Sequence, residues 1–194
     1  MNVPVPIPSQ KSISKYLEKW QTLEKYTLTE GALGLLFRKL CPDNSDIESV
    51  LLKVSALNDF YSTNIYDTYS VSKHILSLNI DGRLDSKDLG LVNEIAAVKL
   101  KGKVRNFYSF ASKYCSHHKP DDFPIFDSFV EKMLKYYRKT DRFEMFRNEE
   151  LRDYGRFIEI IESLRTFYRV DDFSLRELDI FLWLAGKDSF RNQK

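Results

Sequence analysis

Phe107-Tyr-Ser-Phe-Ala-Ser-Lys-Tyr-Cys-Ser-His-His-Lys-Pro-Asp-Asp-Phe-Pro-Ile-Phe-Asp127 is the stretch on which the reading of this chain turns. Phe107, Tyr108, Ala111 and Cys115 recur at helical spacing and, with Val104, form an apolar face about three turns long. Pro124 then disfavours helix at Phe123 and delays the start of the next helix. Asp127 or Ser128 is therefore a natural N-cap, because a short side-chain oxygen there can accept a free first-turn amide. The stretch predicts a helix, a short loop, and an acid at the mouth of a second helix.

Helical spacing continues on both sides. Ile13, Tyr16, Leu17 and Trp20 fall on one face, and a second helix is expected over Glu30 to Leu40, stopping at Cys41-Pro42-Asp43-Asn44. Ser45 and Glu48 form a capping box, opening a helix that turns Val50, Val54 and Leu57 inward. After a turn around Tyr61-Ser-Thr-Asn64, a helix runs from about Tyr66 to Leu78 and ends at Asn79-Ile-Asp-Gly82. Leu89, Val92, Ile95 and Ala96 predict a helix to about Leu100, with Lys101-Gly102-Lys103 as a tight connection. Ser128 and Glu131 form a second capping box, on a helix to about Tyr137. Arg138 to Asp153 reads as a long connection, and Tyr154 to Tyr168 as helix. Ser174 and Glu177 open the last helix, with Gly186 as its C-cap.

The expected fold class is all-α. Eight or nine short helices form one compact two-lobed domain over residues 13–194, after an extended segment 1–12 set by alternating prolines. Only seven glycines occur, which argues against a turn-rich β architecture, and Trp20 and Trp183 are expected in the core.

Composition narrows the function classes. The formal net charge is only +2, so a nucleic-acid surface would have to come from local clustering. Cys41 and Cys115 make no disulfide framework and no CxxC pair. With His74, His117 and His118 they show no zinc or iron–sulfur spacing, so no metal or other cofactor is expected. No apolar run approaches the roughly 20 residues that span a bilayer, and the N-terminus lacks the pattern of a secretory signal. The expectation is a soluble, cytoplasmic protein without a membrane partner.

Charge does cluster in one place. Lys99, Lys101, Lys103, Arg105, Lys113 and Lys119 lie between Lys99 and Pro120 with no acid among them, and His117 and His118 add polar donors at the end. A basic loop with a glycine at a helix N-terminus suits a phosphate, and nearby lysines add counterion-release affinity. The alternative is a solvated basic face on an amphipathic helix. Phe107, Tyr108, Phe110 and Tyr114 could stack on bases, although helical spacing favours the core. Asp127 has two open readings as well. It is a helix cap, or it is an ionised carboxylate facing a cleft, able to stabilise a cationic sugar or position a water.

The order of these elements resembles the helix-hairpin-helix DNA glycosylase superfamily, and within it the 8-oxoguanine DNA glycosylase branch. Leu51-Leu-Lys-Val-Ser-Ala-Leu-Asn-Asp-Phe-Tyr-Ser-Thr-Asn64, continuing to Leu76, is similar to the family's segment whose polar turn probes the gap left by an extruded base. Leu100-Lys101-Gly102 stands where the family has the Leu-Pro-Gly of its hairpin, and Pro124-Ile-Phe-Asp127 where it has the turn bearing its catalytic aspartate. The resemblance implies a two-lobed helical fold with a degenerate hairpin and duplex DNA as partner. It also implies cleavage of the N-glycosidic bond of a damaged purine. Asp127 would be catalytic, Asn64 would sit near the base gap, and Lys101, Gly102, Lys103 and Arg105 would bind DNA. The chain departs from the family at the hairpin, where Lys101 replaces a proline and Lys103-Val104 replace the second glycine. Asn106 and Phe107 stand where bifunctional members carry a Schiff-base lysine. Lys113, about two turns further along nearly the same helix face, is the candidate displaced nucleophile; its other reading is a surface lysine. A non-catalytic DNA-binding or protein-interaction module of the same fold is the alternative function.

Overall fold

A computed structural model of the chain describes residues 4–191. The protein is mostly helical. The α-helices are α1 (Gln10–Gln21), α2 (Glu24–Leu35), α3 (Ile47–Tyr61), α4 (Thr68–Ser77), α5 (Asp81–Asp85), α6 (Gly90–Ala96), α7 (Tyr108–His118), α8 (Ser128–Thr140), α9 (Tyr154–Tyr168) and α10 (Leu175–Phe190). A π-helical turn, Leu36–Leu40, extends α2, and a 3-10 turn, Asn148–Arg152, precedes α9. The described residues divide into two compact units, Lys25–Ile125 in one, and the segments before and after it in the other.

In the Lys25–Ile125 unit, α3 packs on α4 and α7, and α6 packs on α7. Val50, Val54 and Leu57 of α3, Val71 and Ile75 of α4, and Leu91, Val92 and Ile95 of α6 are buried around Ala111, Tyr114 and Cys115 of α7. The inward spacing read from the sequence is the spacing that builds this core.

One expectation fails here. No helix reaches Leu100. α6 stops at Ala96, and β1 (Ala97–Leu100) pairs antiparallel with β2 (Lys103–Asn106), Val98 opposite Arg105 and Leu100 opposite Lys103. The link is the two-residue turn Lys101-Gly102, with both residues left-handed at φ 48° and 77°. Such primed turns match the twist of paired strands. Gly102 suits that backbone, so the chain reverses as a β-hairpin rather than as a loop between helices. The all-α expectation is corrected to that extent.

In the other unit, α10 packs on α8 and α1. Gly186 is not a C-cap. α10 continues through it to Phe190, and a Cβ at Gly186 would come within 2.9 Å of the Phe129 carbonyl oxygen and Cβ. The glycine permits close helix approach. Trp20 and Trp183 form an edge-to-face pair, ring centroids 6.0 Å apart, and both are half-buried rather than fully in the core.

Caps decide the remaining boundaries. Ser174 and Glu177 exchange hydrogen bonds as expected, at 3.2 and 2.8 Å. At α3 the cap is Asp46, not Ser45, because its carboxylate reaches the Ser49 amide at 2.7 Å. At α8 the cap is Asp127, which leaves Ser128 inside the helix and Glu131 free to pair with Lys135 and Arg152. α1 begins at Gln10, capped by Ser9, so the extended segment ends earlier than residue 12; residues 1–3 lie outside the described part.

Candidate functional site

The hairpin sorts the basic residues by strand alternation. Directly paired residues share a face, so Lys103 and Arg105 project with Leu100 and Val98. Lys99 and Val104 project on the opposite face. The Lys103–Arg105 face borders a groove of about 580 Å³, lined also by Asn64, Tyr66, Asp67, Lys101 and Phe107. Three cations thus surround it, against one carboxylate. That carboxylate, Asp67, caps α4 by accepting from the Ser70 amide at 3.0 Å. The capping bond, with Lys101 nearby, holds its pKa below the usual carboxylate range. Asn64 sits in the α3–α4 turn with φ 58°, and Tyr66 is 96% exposed.

The groove gathers Asn64, Lys101, Lys103 and Arg105, with Gly102 in the adjoining turn. All five are solvent-exposed. Of the other members of the basic cluster, Lys119 pairs with Asp85 at 2.7 Å. Phe107 is half-buried and lines the groove, whereas Tyr108, Phe110 and Tyr114 are core residues.

Asp127 belongs to the other unit, in the segment that follows Ile125. Its Oδ1 accepts the Phe129 amide at 2.8 Å, while Oδ2 accepts no hydrogen bond among the described residues. The side chain is half-buried. Cap and available carboxylate are therefore compatible readings of one residue.

Lys113 is not a surface lysine. It is 5% exposed, and its Nζ donates to Ser109 Oγ at 2.5 Å and to the Ser109 carbonyl at 3.2 Å. The ammonium also lies 5.3 Å from the centroid of the Tyr61 ring. Tyr61 in turn places its hydroxyl 3.0 Å from His117 Nε2.

His117 and His118 are buried, not donors on a basic face. His118 belongs to a polar network that the sequence reading missed. Fully buried Lys53 donates to the Asp43 carbonyl at 2.8 Å and to Asn44 Oδ1 at 2.7 Å. Asn44 donates from its amide and side chain to Asp81, at 2.9 and 2.6 Å, and its Oδ1 accepts the Tyr114 hydroxyl at 2.6 Å. His118 Nε2 faces Asn44 Nδ2 at 3.3 Å and Lys53 Nζ at 3.5 Å. Both neighbours are donors, so this geometry assigns Nε2 as acceptor and the ring proton to Nδ1. Desolvation lowers the His118 pKa to about 3, aided by the Lys53 charge, and lowers that of Lys53 to about 8. The network fastens the loop before α3 onto α3, α5 and α7. A signal for it was present: Lys53 falls at the inward spacing of Val50, Val54 and Leu57.

A family model described as the HI_0787_N N-terminal domain matches residues 12–122, more than half of the chain. The chain belongs to the HI_0787_N family. The HI_0787_N match takes in the hairpin, the groove and the Lys53–His118 network, and stops short of Asp127. A Haemophilus influenzae protein, described as uncharacterized, is 44% identical over 153 residues, which is 78% of this chain and 73% of that protein. No solved structure matches the chain. Within the described residues no helix is long and apolar enough to cross a membrane.

Proposed function

We propose that the chain is a DNA-binding protein of helix-hairpin-helix glycosylase-like architecture, in which the β1–β2 hairpin serves as the phosphate-holding hairpin. The observation that supports this is the groove, where Lys101, Lys103 and Arg105 meet Asn64 and Tyr66. Its one carboxylate, Asp67, is already committed to capping α4. In this reading side-chain cations hold the phosphates of a duplex, which replaces the backbone amides of a glycine-rich hairpin. The test is fluorescence anisotropy on a non-specific duplex across a range of salt. Log affinity is expected to fall with log salt at roughly 0.9 per phosphate neutralised. The triple variant Lys101→Gln, Lys103→Gln, Arg105→Gln is expected to flatten that slope. Affinity independent of salt would overturn the reading.

A second reading adds catalysis, and the observation that favours it is the unoccupied Oδ2 of Asp127. A carboxylate held by one amide, with its second oxygen not hydrogen-bonded among the described residues, can stabilise oxocarbenium character on a sugar and orient water. The substrate would be a modified purine extruded from the stack, and the bond cleaved its N-glycosidic bond. Lys113 would be the amine nucleophile if strand cleavage accompanies base release. Single-turnover assays on duplexes bearing different damaged purines test this, with Asp127→Asn as the control. Asparagine is also a good N-cap, so the helix is kept while the charge is lost. If no lesion is cut, or the variant cuts as well as the wild type, the non-catalytic module stands. Borohydride trapping with Lys113→Gln tests the amine: an adduct undiminished in that variant excludes Lys113.

A further inference from the structure

We infer that the groove holds an unpaired base on the ring of Tyr66, so that its preferred ligand is DNA with an unpaired nucleotide rather than continuous duplex. This rests on the DNA-binding reading of the same groove and names what that groove selects. Tyr66 is the most exposed large hydrophobic residue among those described, at 96%. The turn that displays it is nevertheless firmly held. Asn58 clamps it from α3: its Oδ1 accepts from the Thr63 hydroxyl at 2.7 Å and from the Ile65 amide at 2.9 Å, and its Nδ2 donates to the Ile65 carbonyl at 3.0 Å. Ile65, on one side of Tyr66, is a buried plug, and Asp67, on the other, is the cap of α4. The ring is presented before any ligand arrives, which removes part of the ordering cost of binding.

The rest of the groove supplies what a nucleotide needs besides a stacking surface. Lys101, Lys103 and Arg105 suit the phosphates, while Leu100 and Phe107 offer apolar surface to the sugar and base edge. The Asn64 side-chain amide makes no hydrogen bond within the described residues and so keeps its donors and acceptor for a base edge. A volume of about 580 Å³ lies within the usual range for small-ligand sites. A base inside continuous duplex already has both faces stacked and offers none to a side chain. An unpaired base offers one, and stacking on an aromatic ring is tolerant of which base it is.

The experiment compares three labelled DNA probes with the full chain at one salt concentration: a continuous duplex, the same duplex with a single-nucleotide 2-aminopurine bulge, and the single strand. The bulged duplex and the single strand are expected to bind about tenfold more tightly than the continuous duplex, the range of one base–aromatic stack. Binding should also quench the 2-aminopurine fluorescence. Tyr66→Ala is expected to erase the preference and the quenching, and Tyr66→Phe to keep both. Equal affinity for all three probes, or a preference that survives in Tyr66→Ala, overturns the inference and leaves the DNA-binding reading standing. Absence of salt-dependent binding to every probe overturns both.

Discussion

His118 Nε2 lies 3.5 Å from Lys53 Nζ, and Asn44 touches both. Two basic groups this close, out of water, do not both carry a proton near neutral pH. Desolvation depresses both, His118 much further, to about 3 against about 8 for Lys53. The single charge therefore stays on the lysine, where the charge of Asp81 favours it, and His118 remains a neutral acceptor.

This division of charge makes the fold acid-sensitive. The folded pKa of His118 is below its unfolded value of about 6.5, so the unfolded chain takes up the proton first as pH falls. The His118 contribution to stability is full above about pH 6.5 and is lost between there and about pH 3, at up to about 1.4 kcal/mol per pH unit. Asp46, Asp67, Glu94, Glu144 and Glu150 have lowered pKa values and act in the same direction. The His118 part is therefore read as the difference between the wild type and His118→Gln, whose amide oxygen can replace Nε2. Urea unfolding at pH 7, 5.5 and 4.5 should show a steeper loss in the wild type. Histidine NMR should show the His118 ring neutral at pH 5; a ring that titrates near 6.5 in the folded protein would refute this account.

Lys53 gives the opposite end of the pH range. Its folded pKa is also depressed, to about 8 against the usual 10.5, so the unfolded chain again holds the proton longer. Its burial cost is full below about pH 8 and is relieved as pH rises toward 10.5. Cys115 opposes this above about pH 9, because burial raises its thiol pKa and only the unfolded chain ionises there. The comparison is again a difference. Between pH 7.5 and 9.5 the wild type should gain about 1–2 kcal/mol relative to Lys53→Met. At pH 7 the variant should be less stable by about 1–3 kcal/mol, since the Asp43 carbonyl loses its donor. Denaturant titrations at the two pH values measure both.

What was legible in the sequence was local. α9 spans Tyr154–Tyr168 as its spacing predicted, and the Ser174–Glu177 box forms, because period and cap are decided within a few residues. The basic residues of the groove were also visible, since charge clustering needs no long-range information. The hairpin was not. Four-residue strands show only two alternations; Ile95 and Val98 lie three residues apart, as on a helix, and Val104 falls at helical spacing with Phe107 and Tyr108. The Lys53 network was hidden because its members, Asn44, Lys53, Asp81 and His118, are brought together only by tertiary packing. Tyr66 had no sequence signature, because exposure of one aromatic depends on what the fold leaves uncovered.

The hairpin turn carries a conformational cost that a substitution can relieve. Lys101 holds φ 48°, where asparagine and glycine are favoured and lysine is not. Lys101→Asn is expected to raise stability by about 0.5–1 kcal/mol and to weaken DNA binding, because the groove loses a cation. Gly102→Ala should destabilise by about 1–2 kcal/mol at φ 77°, although a Cβ there meets nothing within 4 Å. Thermal unfolding measures the first two effects, and anisotropy the loss of affinity. A destabilised Lys101→Asn would mean that the lysine side chain has a structural role in the turn.

Two helical glycines should respond to alanine with opposite signs. Both lie inside helices, where alanine is favoured by about 1 kcal/mol on propensity alone. At Gly31 of α2 an added Cβ meets nothing within 4 Å, so Gly31→Ala should stabilise by close to that amount. At Gly186 the Cβ would come within 2.9 Å of the Phe129 carbonyl oxygen and within 3.0 Å of Met133 Cγ. The first of these is backbone of α8 and cannot rotate aside, so α8 and α10 would have to separate. Overpacking of this kind costs about 1–3 kcal/mol and should outweigh the propensity gain. Gly186→Ala is therefore expected to lower the melting temperature while Gly31→Ala raises it. If both variants were stabilised to a similar degree, the close approach of α10 to α8 at Gly186 would be wrong.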